Sequence, residues 1–315
     1  MDYKNLKVIE GIPFFTEDRY WGKASKEEME KALAVIDEKG WEEFLNCYKG
    51  KFDFTFEENR ADWRFNIPVS KDFSVLDAGA GMGRISIPLA RVAGKVVAFD
   101  NSFLRVKFLK KMAEAKGLTN IEVYVADIFD APFPEESFDL IVMNGLLEWV
   151  GVTDKFSDPR EAQIESLKIC RKLLKKGGYL YIGIENRYAL TYLRGIDHSG
   201  LRFTSYMPRW LANWYTFWKR GQPYKTYTYN VGGYRKLLRE AGFKDAQFYL
   251  VYPGYNEPRI VIPYDNLGMF AYVITVLMSA NDWRRKLAKY LINIPFLLRI
   301  YRKLFFSFNI IAKND

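Results

Sequence analysis

The run from Val75 to Gly83, Val-Leu-Asp-Ala-Gly-Ala-Gly-Met-Gly, constrains the fold more than any other stretch of the chain. Phe73, Val75 and Leu76 favour a strand, the glycines at 79, 81 and 83 supply a turn without Cβ atoms, and Ile85 to Val92 continues with helical apolar spacing. Strand, glycine turn and helix in that order open an open α/β sheet. Such sheets bind ligands outside the carboxyl ends of their strands, so the turn is expected to be a ligand loop in which bare backbone approaches the bound molecule.

Acids then recur where strands should end. Asp77 stands two residues before the first glycine, and the G-x-G-x-G spacing departs from the G-x-G-x-x-G that rests a pyrophosphate on a helix N-terminus. An anion gains nothing from Asp77, whereas a cationic ligand does. Lys95 to Asp100 reads as a second buried strand, and it places Asp100 about 20 residues after the glycines, where a carboxylate accepts ribose hydroxyls. Ile121 to Ala126 is a third strand, ending in Asp127-Ile128, and Phe138 to Met143 a fourth, followed by Asn144-Gly145-Leu146-Leu147-Glu148-Trp149. A helix over Arg160–Lys176 stops at Gly177-Gly178 before a fifth strand, Tyr179 to Ile184, which runs into Glu185-Asn186. Residues 71–186 thus alternate strand and helix as in a parallel doubly wound sheet. Right-handed crossovers are expected to bring Asp77, Asp100, Asp127, Asn144, Glu148 and Glu185 to one rim.

Leu76 to Gly83 resembles motif I of the class I S-adenosylmethionine-dependent methyltransferases. That resemblance, which covers about residues 60–265, implies a Rossmann-like α/β fold: a doubly wound, mostly parallel, seven-stranded sheet with an N-terminal helical cap and a C-terminal helical extension. It implies S-adenosylmethionine as cofactor, with Asp77 near the methionine amino group and Gly79, Ala80, Gly81 and Gly83 admitting the adenosine. Asp100 and Asn101 would then take the ribose, and Asp127 and Ile128 the adenine edge, with Asn144 in the loop after strand four. Phe243–Tyr252 and Arg259–Pro263, joined by residues 253–258, resemble the family's antiparallel sixth and seventh strands. The Asn-Pro-Pro-Tyr loop used on base amino groups is missing after strand four, which favours an oxygen or carbon acceptor on a small or lipid-linked molecule. Activity on RNA through the basic tail, and a non-catalytic module that only binds the cofactor, are the alternatives.

Around this core three regions differ in character. Residues 1–70 read as a helical cap in which Ser25-Lys26-Glu27-Glu28 is a capping box and Arg60 and Arg64 precede the first strand. Within the 71–265 domain, residues 187–229 form an irregular, aromatic and basic insertion suited to substrate selection. Trp210, Trp214 and Trp218 recur there at i+4 spacing and are expected to be a packing stripe rather than a base-stacking platform. His198, the single histidine, lies between Gly195 and Gly200 beside Asp197; it is either a structural residue or a general base for a hydroxyl, with Glu148, Tyr188 or Tyr192 able to replace it.

The third region, residues 266–315, holds most of the net charge of +9, since Asp282 to Asp315 alone carries +6. Leu267 to Met278 is apolar but shorter than the about 20 residues a bilayer span needs. Beyond it Leu287, Tyr290, Leu291, Ile294, Leu297, Leu298, Tyr301 and Leu304 form a helical stripe, with Arg284, Arg285, Lys289, Arg299, Arg302 and Lys303 largely off it and a break at Pro295. A membrane surface, the domain itself and a second copy in a homodimer are the partners open to that stripe; nucleic acid ranks below them. Cys47 and Cys170 lie far apart and no apolar leader follows Met1, so the expectation is a reducing cytoplasm, with the tail at the inner face of the membrane. One histidine and two cysteines make a zinc site unexpected.

Overall fold

The fold starts with two short strands in a region expected to be helical. In the computed structural model, which describes residues 6–21, 24–193, 195, 197–277, 290, 292 and 294–315, β1 (Lys7–Ile9) and β2 (Ile12–Phe14) form a hairpin. Its two-residue turn holds Glu10 and Gly11 both at positive φ, 50° and 70°, the twist that suits a tight hairpin. β2 then joins β5 (Ile121–Val125) in parallel, Phe14 opposite Val125, so residues 1–70 contribute sheet as well as helices.

The helices of that region follow their local signals. In α1 (Lys26–Lys39) the Ser25 side chain accepts from the Glu28 amide at 3.1 Å and Glu28 accepts from the Ser25 amide at 3.0 Å, the reciprocal capping box. Gly40 at φ 88° ends it and starts α2 (Trp41–Cys47). Their apolar faces, with Met29, Leu33, Ile36 and Phe44, pack on Phe108, Leu109 and Met112 of α4 (Phe103–Ala115), where the rings of Trp41, Phe44 and Phe52 lie 5.5–6.0 Å from that of Phe108. Lys107, nearly buried in this layer, is satisfied by Glu10 at 2.8 Å and Asp37 at 2.7 Å.

β3 (Ser74–Ala78), β4 (Lys95–Asp100), β5 and β6 (Phe138–Asn144) are the four strands expected, and they run parallel. Their near-continuous apolar runs fit strands covered on both faces. Register sets the carboxyl ends level: Ala78 opposes Phe99 and Met143, and Asp100 opposes Val125. Between β3 and β4 runs α3 (Ser86–Ala90), shorter than its apolar pattern implied.

The chain divides into two units, Met1–Met143 with Lys172–Leu180 and Asn314, and Asn144–Arg171 with Tyr181–Lys313 and Asp315. The first carries the strand order β1-β2-β5-β4-β3-β6. After α5 (Pro159–Leu173), β7 (Leu174–Glu185) starts in the first unit and ends in the second; it begins before Gly177-Gly178, the glycines expected to separate helix from strand.

In the second unit the order is β7-β10-β8-β9, with β8 (Ala246–Gly254), β9 (Glu257–Pro263) and β10 (Ser307–Lys313). β8 and β9 are the expected antiparallel pair, but the strand between β7 and β8 is β10, drawn from the stretch read as a helical extension. Its sequence Ser-Phe-Asn-Ile-Ile-Ala-Lys is buried on both faces, so it lacks the alternation that marks a strand with one wet face. The fold therefore has ten strands rather than seven among the described residues. α7 (Val231–Glu240) is capped by the Asn230 side chain, which accepts from the Gly233 amide at 2.9 Å. α8 (Leu267–Leu277) and α9 (Pro295–Lys303) meet through Phe270 and Tyr301, whose rings stack at 5.9 Å. No described helix is long and apolar enough to cross a membrane.

The reading of Trp210, Trp214 and Trp218 as a packing stripe is corrected by α6 (Arg209–Arg220). The side turned inward holds the small Ala212 and Thr216, and all three tryptophans are exposed. An i+4 apolar spacing identifies one face of a helix; it does not say which way that face points.

Candidate functional site

In the first unit, the turn after β3 is made of residues that only glycine could occupy without strain. Gly79, Gly81 and Gly83 have φ of 70°, 58° and 91°, and a Cβ on Gly81 or Gly83 would run into Arg105 or Leu109 respectively. The Ala80 amide donates to the Phe99 carbonyl at 2.9 Å and the Gly81 amide to Asp100 Oδ2 at 3.0 Å, which fastens the turn to the end of β4.

Asp77 is 2 % exposed and accepts from Ser86 Oγ at 2.6 Å. Burial pushes its carboxyl up to about 7; the Ser86 hydrogen bond and the Arg60 guanidinium work against that rise, and Asp100 adds to it. A carboxyl held this far from water favours its neutral form unless a cation comes to lie beside it. Asp100, 4 % exposed, also accepts from the Ser102 amide at 3.1 Å and pairs with Arg105 at 3.3 Å. Asn101 accepts at its carbonyl from the Arg19 amide, and Asp18 takes the Phe103 amide at the start of α4. Asp127 folds back on its own turn, accepting from the Phe129 amide at 2.9 Å, and Ile128 beside it is buried. Asp77, Asp100 and Asp127 thus end three adjoining parallel strands, β3, β4 and β5.

The second unit holds a separate polar cluster. His198 Nε2 lies 3.0 Å from Glu185 Oε2 and 4.0 Å from Glu148 Oε1, and its ring meets Trp149 edge-on at 5.3 Å. Glu148 is 0 % exposed. Burial alone would lower the His198 pKa, but Glu185 first, then Glu148 and Asp197, lift it to about 9. His198 is accordingly an imidazolium at neutral pH. The Tyr192 hydroxyl, buried near Glu185 and Glu148, is raised well above its ordinary range by desolvation.

Asp197, expected as a neighbour of the imidazole, organises the loop instead. It accepts from the Ser199 amide at 2.9 Å, the Ser205 amide at 2.6 Å, Ser205 Oγ at 2.8 Å and the Thr204 hydroxyl. Among the described residues, His198, Glu148 and Glu185 are also the one group whose ligand atoms, all within 4.8 Å of one another, have a spacing suited to a metal ion. Asn144 turns its Oδ1 toward the Tyr181 hydroxyl at 3.2 Å and against Gly183, in the interior of its unit.

Residues 69–214 match the family described as a methyltransferase domain. Over those residues the chain is similar to a methyltransferase domain, for which S-adenosylmethionine is the methyl donor. Its glycine turn, with the buried Asp77 behind it and Asp100 bound to its backbone, fits such a cofactor: at Gly79, Gly81 and Gly83 the positive-φ turn presents bare backbone. Arg105 stands beside Asp100, with its guanidinium 3.3 Å from Oδ2. The chain is 33% identical over 123 residues to a 23S rRNA (uracil(1939)-C(5))-methyltransferase of Aeromonas salmonicida, a match covering 35% of this chain and 28% of that protein. It is 32% identical over 131 residues to phosphoethanolamine N-methyltransferase 3 of Arabidopsis thaliana, covering 40% of this chain and 24% of that one. A Haemonchus contortus phosphoethanolamine N-methyltransferase structure aligns at 16% identity and a TM-score of 0.49, over 91% of this chain and 48% of that one. The chain thus spans under a third of these two curated relatives.

Ser86 and Arg105 join the site without a role expected from sequence, and Glu185 gains a partner that its strand-end position does not name. Ser86 sits nine residues after Asp77 in the first turn of α3, a place a helix-start reading reaches. The Glu185–His198 approach spans a loop whose course no local pattern foretells.

Proposed function

We propose that the chain is a working methyltransferase that places a methyl group on an oxygen of a small or lipid-linked acceptor. The observation that carries this reading is the His198–Glu185 pair beside the buried Glu148, a proton-handling group assembled within one unit. S-adenosylmethionine, when bound, supplies a methyl group already activated by its sulfonium charge. Asp77 would hold the cationic amino group, Asp100 with Asn101 the ribose hydroxyls, Asp127 with Ile128 the adenine edge, and Gly79 to Gly83 the backbone surface of the adenosine. The chain's remaining task is to orient the acceptor and receive its proton. His198 in its neutral form would receive it at Nδ1, because Nε2, 3.0 Å from Glu185 Oε2, donates its own proton to that carboxylate; Glu185 and Glu148 stabilise the imidazolium that results, as a carboxylate does in a Ser-His-Asp triad.

The expected position of the protein is at a membrane surface on the cytoplasmic side. On α8 the exposed Met269, Tyr272 and Val276, and on α9 the exposed Phe296 and Ile300 beside Arg299 and Lys303, support that position, although they lie off the expected stripe, of which Leu298 is buried and Leu297, Tyr301 and Leu304 are half-buried. Arg284, Arg285, Leu287, Lys289 and Leu291, on which that expectation also drew, lie outside the described residues.

The two curated relatives, named for acting on ribosomal RNA and on phosphoethanolamine, bracket the acceptor classes. Incubating the protein with methyl-labelled donor and fractionated extract decides between them. Label is expected in a lipid-linked or small-molecule fraction, as an oxygen-bound methyl group. Label confined to RNA would replace this reading with the nucleic-acid one, and donor binding without any transfer would leave a binding module.

A further inference from the structure

α6 is built the wrong way round for a helix in water. Its buried residues are Ala212 and Thr216, one small and one polar, with Leu211 and Tyr215 half-buried beside them, while Trp210, Trp214, Phe217 and Trp218 are 73 %, 61 %, 61 % and 64 % exposed. The positions i, i+4, i+7 and i+8 make one continuous aromatic face, and Trp214 and Trp218 stack on it at 6.0 Å and 9°. Large exposed aromatic patches mark surfaces that water does not cover in use.

The charge around this face selects the partner. Residues 187–229 contain seven Lys or Arg against the single acid Asp197, and that acid is taken up inside its loop. Lys219 closes the aromatic face, its ammonium 4.1 Å from the Trp218 ring, and Arg220 and the exposed Arg202 stand nearby in sequence. α6 itself has three cations and no acid. Tryptophan beside lysine and arginine, on a short helix with no acidic residue, is the chemistry of a helix lying in the headgroup layer of an anionic bilayer. Nucleic acid would be served by the same cations. It does not account for Phe217 and the tryptophans standing on an unbroken helical ridge with no asparagine, glutamine or serine at the ridge positions to read a base.

We propose that the outer face of α6, formed by Trp210, Trp214, Phe217 and Trp218 and bordered by Lys219, docks on anionic lipid headgroups. This is a contact separate from the tail, and it does not rest on methyl transfer. The helix would lie flat, with the indole rings at the level of the acyl boundary and the ammonium and guanidinium groups among phosphates.

Cosedimentation of the full chain with vesicles of phosphatidylglycerol and phosphatidylcholine tests it, without donor or acceptor present. The wild-type chain is expected to pellet with mixed vesicles and much less with phosphatidylcholine alone. The triple variant Trp210→Ser, Trp214→Ser, Trp218→Ser, altered only at exposed positions, is expected to lose about tenfold or more in partitioning while keeping its circular dichroism. Lys219→Glu with Arg202→Glu is expected to weaken binding to the anionic vesicles and leave the neutral ones unaffected. Equal pelleting of wild type and triple variant overturns the proposal. So does a wild-type chain that ignores vesicles, whether it is retained by polyuridine or forms a dimer that the triple variant abolishes. Loss of methyl transfer with vesicle binding intact would count against the proposed activity alone.

Discussion

Asp77→Asn is expected to raise the stability of the unliganded protein at pH 8 and to lower its affinity for the methyl donor. The Asp77 carboxyl titrates at about 7 in the folded chain, against an ordinary value of 3.8. Between those values the folded state binds more protons than the unfolded one, so the group removes stability as pH rises from about 4 to about 7 and removes the full amount above that. For a shift of this size, which is already net of Arg60 and Ser86, the loss is at most roughly 4 kcal/mol. Asparagine keeps an acceptor for Ser86 Oγ and carries no charge to desolvate. Urea unfolding at pH 4 is expected to find wild type and variant alike, and at pH 8 to find the variant more stable. Binding moves the other way. An ammonium held by a buried carboxylate is worth roughly 1.5–3 kcal/mol, so the variant should bind S-adenosylhomocysteine about 10- to 100-fold more weakly. Wild-type affinity should also climb with pH through about 7 while the variant's stays flat. A variant that binds as tightly as wild type would remove Asp77 from the site.

The second large effect is expected in the pH dependence of turnover. His198 at about 9 is an imidazolium at neutral pH, with only about 1% in the neutral form at pH 7. Turnover by a His198 base therefore rises with pH and levels near 9. Glu185→Gln removes the carboxylate that lifts the imidazole most, and its acid limb should move down by up to about two pH units. His198→Ala should cost about 10²- to 10⁴-fold in turnover at pH 9 with donor affinity unchanged. Stability carries the same signature. A folded pKa raised above the unfolded one stabilises fully below about 6.5, and that contribution, about 3 kcal/mol, fades as pH rises through about 9. An unshifted profile in Glu185→Gln would place the base elsewhere, with Glu148 and Tyr192 next to hand.

Features that are local in the chain are legible in its sequence. The strand-end acids Asp77, Asp100 and Asp127, the positive-φ glycines and the Ser25 capping box depend on residues a few positions apart, and each stands where its spacing puts it. What depends on distant pairing is not legible in that way. β1 and β2 are three residues each, too short for a period of two to register, and β10 is a strand only because β8 lies against it. The tryptophans of α6 carry a clear helical period, yet their exposure is decided by what the rest of the unit leaves uncovered. Asn144 follows the expected strand, but Tyr181 and Gly183, 37 and 39 positions on, draw its side chain inward. Asp197 likewise adjoins His198 in sequence, yet its carboxylate is bound to Ser199, Thr204 and Ser205.

Calorimetric titration of the intact chain with S-adenosylhomocysteine probes most directly whether Asp77, Asp100 and Asp127 surround one adenosyl ligand. One equivalent is expected to bind, with affinity lost in Asp100→Ala and weakened in Asp127→Ala, each checked for folding by circular dichroism. No heat of binding from the folded wild-type chain, or undiminished binding in both variants, would contradict it.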